Sequence, residues 1–407
     1  MRSLAEHRTA VLGLVAQLPA TTVPVVEALG LVLANDVVAG VDLPGFDNSA
    51  MDGYAVRAAD LAGAGPESPL LLPVAGDIAA GDTTRHVLHP GQALRIMTGA
   101  PLPEGADAVV PVELSDGGAT EVALRLAPQV GASLRHRGED VRTGDVVLTA
   151  GTRLGPGHLA LAAAANAPEV SVHPRPRVLV ISTGDELVSA GSVLEHGQIV
   201  DSNSVMLRGL VRAAGAEVAG WAHLRDDATA MRALLDDLPG DPDLVLTTGG
   251  VSMGVYDTVK EVLTADGGVE FVKVAMRPGM PQGSGVVGRS RTPAVTLPGN
   301  PVSSLVSFHV FVLPALRRLA GLDPDSDGAF EAVADVGWPA ASGKVELTRV
   351  VETAGRVRPS GGQGSHMLGA LSAATALAVV PADVERVEAG DRLRCLPLLG
   401  QDRDRGL

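Results

Sequence analysis

Between Pro174 and Gly321 the sequence alternates between short apolar runs and amphipathic stretches, and this alternation restricts the possible folds strongly. The runs RVLVIS, EVAGWAHL, DLVLT, VEFVKVA and PAVTL have the length and composition of strands. Helical periodicity appears in SNSVMLRGLVRAAG, ATAMRALLDDL, YDTVKEVLTA and VSSLVSFHVFVLPALRRLAG. Strands that alternate with helices predict a parallel sheet covered by helices on both faces, which is an α/β fold.

The flanking sequence differs in character and predicts a multidomain chain. Near the N-terminus, TTVPVVEALGLVLA predicts a helix that starts near Thr22 and Pro24. Short β-type runs such as ALRIM and DAVVPVEL follow between Gly and Pro turns, and others such as KVELTRVVE and ALAVVPA come late in the chain. The predicted regions are an elongated arm (1–43 and 134–173), a small mostly β domain (44–133), the α/β domain (174–322) and a C-terminal β-barrel (323–407).

Composition excludes several classes of function. The net charge of −15 argues against sequence-independent nucleic-acid binding, and 2% aromatic residues are too few for base stacking. A small anionic ligand would therefore need a locally basic pocket. No apolar run approaches membrane-spanning length, and the N-terminus reads as an amphipathic helix. The single cysteine, Cys395, rules out an intrachain disulfide, so we expect a cytoplasmic protein.

The segment Asp243–Asp257, DLVLTTGGVSMGVYD, places hydroxyls and glycines directly after an apolar strand. Backbone N–H groups at glycines and at a helix start can hold an anion, and Thr248 and Ser252 add hydroxyl donors. Asp257 would repel a phosphate unless a cation lay between them. The segment therefore predicts a phosphorylated ligand bound together with a divalent metal, with an ordinary strand-to-helix turn as the alternative.

Polar groups follow every predicted strand of the α/β region. In open α/β folds, ligands bind outside the carboxyl ends of the strands. Acids follow the first three strands, and cationic or rigid turns follow the last two. Together they would form a pocket for a metal-bound phosphate. The groups are residues 183–186, 225–227, 248–257, 276–281 and 298–301.

Each of these residues also has a purely structural interpretation. Asp185 or Asp226 could cap a helix N-terminus, and Lys273 could face solvent from an alternating strand. Arg277 could be a plain surface charge, although a turn with two prolines and a glycine fixes its direction. Pro301 suits the first turn of a helix whether or not an anion binds there.

Six motifs in order carry a resemblance over nearly the whole chain. They are FDNSAMDGYAV, RIMTGAPLPEGADAVV, RHRGEDV, STGDEL, TTGGVSMG and LPGNPVS. With them the chain resembles the molybdopterin molybdenumtransferases of the MoeA type and is similar also to the E domain of gephyrin. The resemblance implies cleavage of the phosphoanhydride of adenylylated molybdopterin with Mg²⁺, release of AMP, and insertion of molybdate into the dithiolene. It also implies a homodimer, with the pocket between one subunit's α/β domain and the other's small β domain, and transient contact with the molybdopterin adenylyltransferase.

The resemblance also assigns roles to individual residues. The acids near metal and molybdate would be Glu186, Asp226 and Asp257, while Lys273 and Arg277 would supply positive charge. Asp52 and Thr98 would approach from the neighbouring subunit, although the sequence alone reads them as a turn and a strand end. The matched cofactor-binding positions are Thr248, Gly249, Gly250, Ser252, Pro298, Asn300, Pro301, Ser303, Arg135, Asp140, Arg349 and Ser365. The resemblance gives the last four a less certain role.

The basic turn departs from the family's frequent KPGKP and reads RPGMP here. Arg277 keeps one charge and can bind two oxygens at once, whereas Met280 removes the second charge. Two other functions stay open, a non-catalytic scaffold and a nucleotide pyrophosphatase on the same α/β fold. Retention of all three acids and both cations argues against the scaffold. The pyrophosphatase leaves the N-terminal arm and the terminal β region without a role.

Overall fold

The computed structural model describes residues 1–250, 258–265 and 268–401, and the chain divides into two compact units. The four domain boundaries drawn from the sequence, after residues 43, 133, 173 and 322, stay predictions. The multidomain α/β fold class is confirmed by the sheets and the barrel described below. Unit 1 comprises Met1–Thr21, Gly30–Ala34 and Ser171–Leu407, and unit 2 comprises Thr22–Leu29 and Asn35–Val170.

Unit 1 contains a six-stranded sheet whose strands we number in chain order. Its spatial order is β2-β1-β3-β6-β5-β4. The first four strands in this order run parallel, whereas β5 is antiparallel to both β6 and β4. The sheet is thus mixed. The strands are β1 Arg177–Thr183, β2 Glu217–Leu224, β3 Leu244–Thr248, β4 Val269–Lys273, β5 Pro281–Val287 and β6 Thr292–Leu297.

Two antiparallel pairings in succession restore the original strand direction. Because β4 opposes β5 and β5 opposes β6, β4 points the same way as the four parallel strands. The carboxyl ends of β1, β2, β3, β4 and β6 therefore open at one edge of the sheet, which we call the carboxyl edge. The sequence-based placement of the turn after β4 at this edge is consistent with these directions.

Helices cover both faces of the sheet, as the alternation predicts. Alternate residues of β1 enter different clusters of buried side chains, with Val178 and Val180 on one face and Leu179 and Ile181 on the other. The helices of unit 1 are Leu4–Gly13, Ser202–Ala213, Ala228–Asp236, Thr258–Ala265, Pro301–Ser307, Leu313–Leu319 and Leu368–Ala373.

The helix after β6 continues through a π-helical segment, Phe308–Val312, to Leu319. Pro314 lacks the N–H of an ordinary helical bond, and the widened segment lies just before it. At 19 residues this apolar span is long enough to cross a membrane, contrary to the sequence expectation, but 83% of its apolar window is buried in the core.

Strand β5 is absent from the sequence prediction because its segment PQGSGVV contains two glycines, which strands usually disfavour. Close backbone approach explains them. A Cβ at Gly285 would lie 1.8 Å from the Gly268 carbonyl oxygen, and one at Gly283 would lie 2.2 Å from Thr296 Oγ1. The glycines allow β5 to fit between its neighbours.

The predicted helix from Thr22 is wrong. The structure has a strand at Thr21–Pro24, a 3-10 turn at Val25–Glu27 and a strand at Val32–Leu33. β-Branched residues occupy most of positions 21–26 and favour extended backbone, and Gly30 takes a left-handed conformation with φ of 77°. Local chain stiffness therefore outweighed the apolar pattern.

The C-terminal part of unit 1 forms the expected barrel of five strands. The ladder closes because Val345–Thr353 pairs with both Arg356–Pro359 and Ala376–Val380. Cys395 lies unexposed in its interior. The strands in barrel order are Val345–Thr353, Arg356–Pro359, Phe330–Ala334, Arg392–Pro397 and Ala376–Val380, and shorter strands of unit 1 are Leu187–Val188, Ile199–Val200, Met276–Arg277, Trp338–Pro339 and Arg386–Val387.

Unit 2 contains a five-stranded sheet with buried side chains on both faces. Tyr54 and Val56 pack on one face, and Ala55 packs on the other. The sheet strands in spatial order are Ala108–Pro111, Gly53–Val56, Ala93–Ile96, Leu70–Ile78 and Glu121–Leu124, and further elements are strands Val37–Val38, Asn48–Ser49, Leu134–Arg135 and Val146–Leu148, 3-10 turns Ala58–Leu61 and Val112–Leu114, and helix Pro156–Ala164. Strand Glu169–His173 links the units in sequence.

Replacing Gly285 by alanine is expected to destabilise the α/β sheet by about 2 kcal/mol or more, because the new methyl group overlaps a backbone oxygen. Gly209→Ala is the matched control, since its Cβ would meet nothing within 4 Å on the exposed side of a helix. That control is expected to stabilise by about 1 kcal/mol. Thermal unfolding midpoints of both variants test this, and an unchanged midpoint for Gly285→Ala would refute the packing of β5.

Candidate functional site at the carboxyl edge

Three carboxylates gather where β1 and β2 end, and we call Asp185, Glu186 and Asp226 the acidic corner. The Gly184 N–H donates to the Leu224 carbonyl at 3.2 Å, which joins the two strand ends. The Asp226 N–H donates to Asp185 Oδ1 at 3.2 Å. All three side chains belong to exposed residues. The adjacent strand ends thus bring carboxylates together at the surface.

Glu186 turns back over the backbone that precedes it. A Cβ at Gly184 would lie 2.6 Å from Glu186 Oε2, so the missing side chain leaves room for this carboxylate. The capping interpretation is wrong for both Asp185 and Asp226. Asp201 caps the helix that follows β1, accepting the Ser204 N–H at 3.0 Å. Asp227 caps the helix that follows β2, accepting from the N–H groups of Thr229 at 2.8 Å and Ala230 at 3.2 Å.

A buried amide joins the loops that follow β3 and β6. Asn203 Nδ2 donates to Thr248 Oγ1 at 2.9 Å and to the Gly299 carbonyl at 2.6 Å. Thr248 Oγ1 in turn donates to the Pro298 carbonyl at 3.3 Å and lies 3.2 Å from Ser304 Oγ. Both N–H groups of the amide are therefore engaged, and the two loops are fixed to each other.

This network gives Thr248 and Gly249 of the TTGG segment a structural role. Thr248 is 2% exposed and its hydroxyl is used inside the protein, so it positions the loop and does not donate to a ligand. Gly249 has φ of 93°, and a Cβ there would lie 2.5 Å from the Thr183 carbonyl oxygen. The Gly249 N–H donates to the Leu297 carbonyl at 3.3 Å. Gly250 also has positive φ, at 66°, while Ser252 and Asp257 lie outside the described residues.

The loop after β6 leads directly into the core helix. Pro301 occupies its first turn, as predicted, and the Asn300 carbonyl accepts the N–H of Ser304 at 3.0 Å. Asn300 is exposed at the N-cap position, with no side-chain capping bond among the described residues. Pro298 and Ser303 are buried, whereas Gly299 and Asn300 are exposed, so Asn300 is the side chain of this motif that reaches the surface.

The RPGMP turn holds the cationic part of the edge. The Val274 N–H donates to the Met280 carbonyl at 2.8 Å. Gln282 Nε2 donates to the Gly279 carbonyl and to Ser307 Oγ, both at 2.6 Å, so a second buried amide ties the turn to the core helix. Lys273, the last residue of β4, is exposed.

The positive charge of Arg277 is partly neutralised by a buried glutamate. Its Nη1 lies 3.6 Å from Oε2 of Glu346, whose side chain is 6% exposed, whereas the Arg277 side chain is 57% exposed. The guanidinium can therefore still reach a ligand on its outer side.

The edge has opposite charges at its two ends. The acidic corner follows β1 and β2, whereas Lys273 follows β4 at the other side of the sheet. Five strand spacings separate β2 from β4, which amounts to about 24 Å along the sheet. The loops after β3 and β6 lie between. Such an arrangement suits an extended ligand with more than one charged group better than a single phosphate.

The donor chemistry of the acidic corner fits Mg²⁺. Magnesium in enzymes usually takes one or two carboxylates and completes its shell with water and phosphate oxygens. Within residues 1–250, 258–265 and 268–401, no group of three His, Cys, Asp or Glu side chains converges tightly enough to hold a metal alone. The corner fits a metal that substrate oxygens help to bind.

Comparison with known proteins agrees with this geometry. Three family descriptions match the chain: "MoeA N-terminal region (domain I and II)" over residues 2–166, "Probable molybdopterin binding domain" over 179–318, and "MoeA C-terminal region (domain IV)" over 331–398. Molybdopterin molybdenumtransferase 2 of Mycobacterium tuberculosis is 49% identical over 97% of this chain and 99% of its own. The chain belongs to the MoeA family.

Other relatives support the assignment. The molybdopterin molybdenumtransferase of Haemophilus influenzae is 36% identical over 91% of this chain and 92% of its own. The crystal structure of the MoeA protein of molybdopterin biosynthesis from Pyrococcus horikoshii OT3 superposes with a TM-score of 0.81 at 30% identity, covering 98% of this chain and all of that one. The fold and the order of the motifs are therefore those of MoeA proteins.

Two matched MoeA positions in the barrel have structural roles. Arg349 is 1% exposed, and its guanidinium donates to the carbonyls of Met367 at 2.9 Å, Gly362 at 2.7 Å and Gly364 at 3.1 Å. Burial lowers the pKa of Arg349. The Ser365 carbonyl accepts the Val302 N–H at 3.1 Å. Arg349 thus shapes the loop that contacts the start of the core helix, and a binding role for Arg349 stays a prediction.

The matched MoeA positions of unit 2 lie at its surface. Asp52 Oδ1 accepts from the Thr98 N–H at 2.6 Å and from Thr98 Oγ1 at 2.7 Å, and these two bonds lower the pKa of Asp52. The turn and the strand end read from the sequence therefore meet. Arg135 and Asp140 are exposed, and Arg135 pairs with Asn48 in a short antiparallel ladder.

Sequence reasoning missed Asn203, Gln282 and Glu346. Asn203 lies in the first turn of a helix and Gln282 in a strand that was not predicted, so neither stood in a recognisable motif. Glu346 alternates with apolar residues in a barrel strand and resembles a solvent-facing acid. Only their tertiary contacts show that they support the edge.

Replacing Asn203 by aspartate is expected to loosen the loops after β3 and β6, because a carboxylate oxygen would face the Gly299 carbonyl in place of a donor. Backbone hydrogen exchange in peptides ending at Gly250 and in those spanning residues 298–303 is expected to rise at least tenfold. Thr375→Val is the control, since it removes one buried barrel hydroxyl bond, from the Glu352 N–H. Unchanged exchange at the edge in Asn203→Asp would contradict the bridging role.

Proposed function

We propose that this MoeA family member is a molybdopterin molybdenumtransferase. It cleaves adenylylated molybdopterin in the presence of Mg²⁺, releases AMP and inserts molybdate into the dithiolene. The observation that carries the proposal is the carboxyl edge itself. Carboxylates lie at one end and cations at the other, with two braced loops between, and this distribution matches a long substrate that has both a metal-bound pyrophosphate and a separate oxyanion.

In this proposal Glu186, Asp226 and Asp257 hold the metal. A Mg²⁺ ion there would supply positive charge to the pyrophosphate oxygens. An oxygen of molybdate or water bonds to phosphorus as the P–O bond of the phosphoanhydride breaks, and AMP leaves. Asp185 keeps Asp226 in place by accepting its backbone N–H. The carboxylates themselves need not take a proton, because their task is to hold positive charge beside the scissile bond.

The remaining residues bind and orient the substrate. Lys273 and Arg277 attract the oxyanion end, and Arg277 can engage two oxygens at once. Gly250 and Asn300 line the space between the two ends, at the surface of the braced loops. Asn203 and Gln282 keep both halves of the edge in register without touching substrate.

We also propose the finer assignments that the family resemblance implies. The chain acts as a cytoplasmic homodimer, with Asp52 and Thr98 supplied by the neighbouring subunit. It receives its substrate through transient contact with the molybdopterin adenylyltransferase. A single buried thiol, Cys395, is consistent with a reducing compartment.

Asp226→Asn is expected to slow AMP release about 100-fold, which corresponds to about 2.7 kcal/mol of lost transition-state stabilisation. Asp227→Asn makes the same charge change one residue away and preserves helix capping, so it is expected to stay within twofold of the wild type. The measurement is AMP formation from adenylylated molybdopterin with Mg²⁺, with and without molybdate.

Three outcomes would count against the proposal. Absence of AMP in every condition would favour a non-catalytic scaffold. Release of AMP from simple dinucleotides, but not from adenylylated molybdopterin, would favour a nucleotide pyrophosphatase. Equal rates in Asp226→Asn and Asp227→Asn would remove the acidic corner from the reaction. EDTA is expected to stop AMP release and excess Mg²⁺ to restore it.

A further inference from the structure

A barrel lysine lies against the RPGMP turn. Lys344 Nζ is 3.7 Å from the Met280 sulphur. The next barrel residue, Val345, pairs in parallel with Met276, and Glu346 pairs with Arg277. This short ladder joins the barrel to the turn, so the position of Lys344 is set by backbone hydrogen bonds as well as by its side chain.

The Lys344 ammonium has unused hydrogen-bonding capacity. An ammonium group has three N–H donors, whereas a thioether is only a weak acceptor. Among the described residues, the Met280 sulphur is the only hydrogen-bond partner of the Lys344 side chain, and the residue is half-buried. A half-buried ammonium with such a poor partner favours a ligand that brings oxygen acceptors.

The charge around the turn is strongly positive for a chain with a net charge of −15. We define Lys273, Arg277 and Lys344 as the cation cluster. Glu346 lies beneath it, but Oε2 of this acid already accepts the Ala341 N–H at 2.7 Å and Oε1 lies 3.4 Å from Thr348 Oγ1. One buried, hydrogen-bonded carboxylate leaves the cluster with an excess of about two positive charges.

The single acid of β4, Glu270, already forms a salt bridge with Arg2. Glu270 receives both of its contacts from Arg2, at 3.0 Å each, so it does not offset the charge of Lys273. The positive charge of Lys273 therefore adds to that of the turn, which follows the carboxyl end of β4.

We propose that Lys344 is a third oxyanion-binding cation of the site, acting with Lys273 and Arg277 on a tetrahedral dianion. The inference rests on the proposed function, for which the dianion is either molybdate or the phosphate monoester that cleavage of the phosphoanhydride leaves on a product. Met280 contributes no charge to the basic turn. Lys344, which lies in the barrel region 64 positions later in the sequence, provides a positive charge in its place.

The test removes one charge at Lys344 and restores it at position 280. Lys344→Met keeps the length and apolar stem of the side chain, and Lys260→Met is the matched control, since it removes one lysine of the same unit that lies 6.0 Å from the Phe271 ring. Calorimetric titration of the full chain with molybdate, and separately with orthophosphate, is expected to show about tenfold weaker binding of at least one anion for Lys344→Met. Lys260→Met is expected to bind both within twofold of the wild type.

The double variant Met280→Lys/Lys344→Met is expected to recover most of the lost affinity, which a merely structural role of Lys344 would not permit. Weakened molybdate binding would place molybdate at the cluster, and weakened phosphate binding would place the phosphate monoester of a product there. Unchanged affinity for both anions in Lys344→Met, or an equal loss in Lys260→Met, would overturn the inference. These titrations do not depend on turnover, so failure of AMP release in the wild type would refute the proposed function separately.

Discussion

The direction of the strands in the six-stranded sheet is the constraint on which the rest of the candidate site depends. Four strands run parallel, and the antiparallel insertion of β5 leaves β4 pointing the same way as they do. If β5 were absent and a short turn joined β4 to β6, β4 would run antiparallel to β6. Lys273 would then lie at the opposite edge of the sheet. The two glycines of β5 are therefore connected to function, because they let this strand fit and so keep cations and acids on one side.

Two buried side-chain amides fix the positions of the loops at the carboxyl edge. Asn203 joins the loops after β3 and β6, and Gln282 joins the basic turn to the core helix. Both use their N–H groups on oxygen atoms from separate parts of the chain. Hydroxyls and glycines that look like ligand donors in the sequence, Thr248 and Gly249 above all, instead serve this internal bracing. Among residues 1–250, 258–265 and 268–401, the groups left for a ligand are the charged side chains at either end, with Gly250 and Asn300 between them.

The sequence predicted the α/β alternation well because the central strands β1, β3 and β6 are buried almost throughout and are therefore mostly apolar. It failed where backbone conformation outweighed apolar pattern, as in the β-branched segment near Thr22, and where glycine was required by close contact, as in β5. It expected the acids and cations at one edge of a parallel sheet, whereas the observed sheet is mixed. Lys273 lies at that edge because the unpredicted strand β5 leaves β4 pointing the same way as β6. The sequence could not reveal Lys344, Glu346 or Asn203 as neighbours of that edge, because long-range packing brings them there.

A metal at the acidic end and an oxyanion at the cationic end can be located together in a crystal of the chain grown with AMP, molybdate and Mn²⁺ in place of Mg²⁺, with anomalous maps recorded for each element. We expect a manganese peak beside Glu186 and Asp226 and a molybdenum peak beside Lys273 and Arg277. If manganese and molybdenum bind together at one end, or if either peak lies away from the carboxyl edge, this division of the edge is wrong.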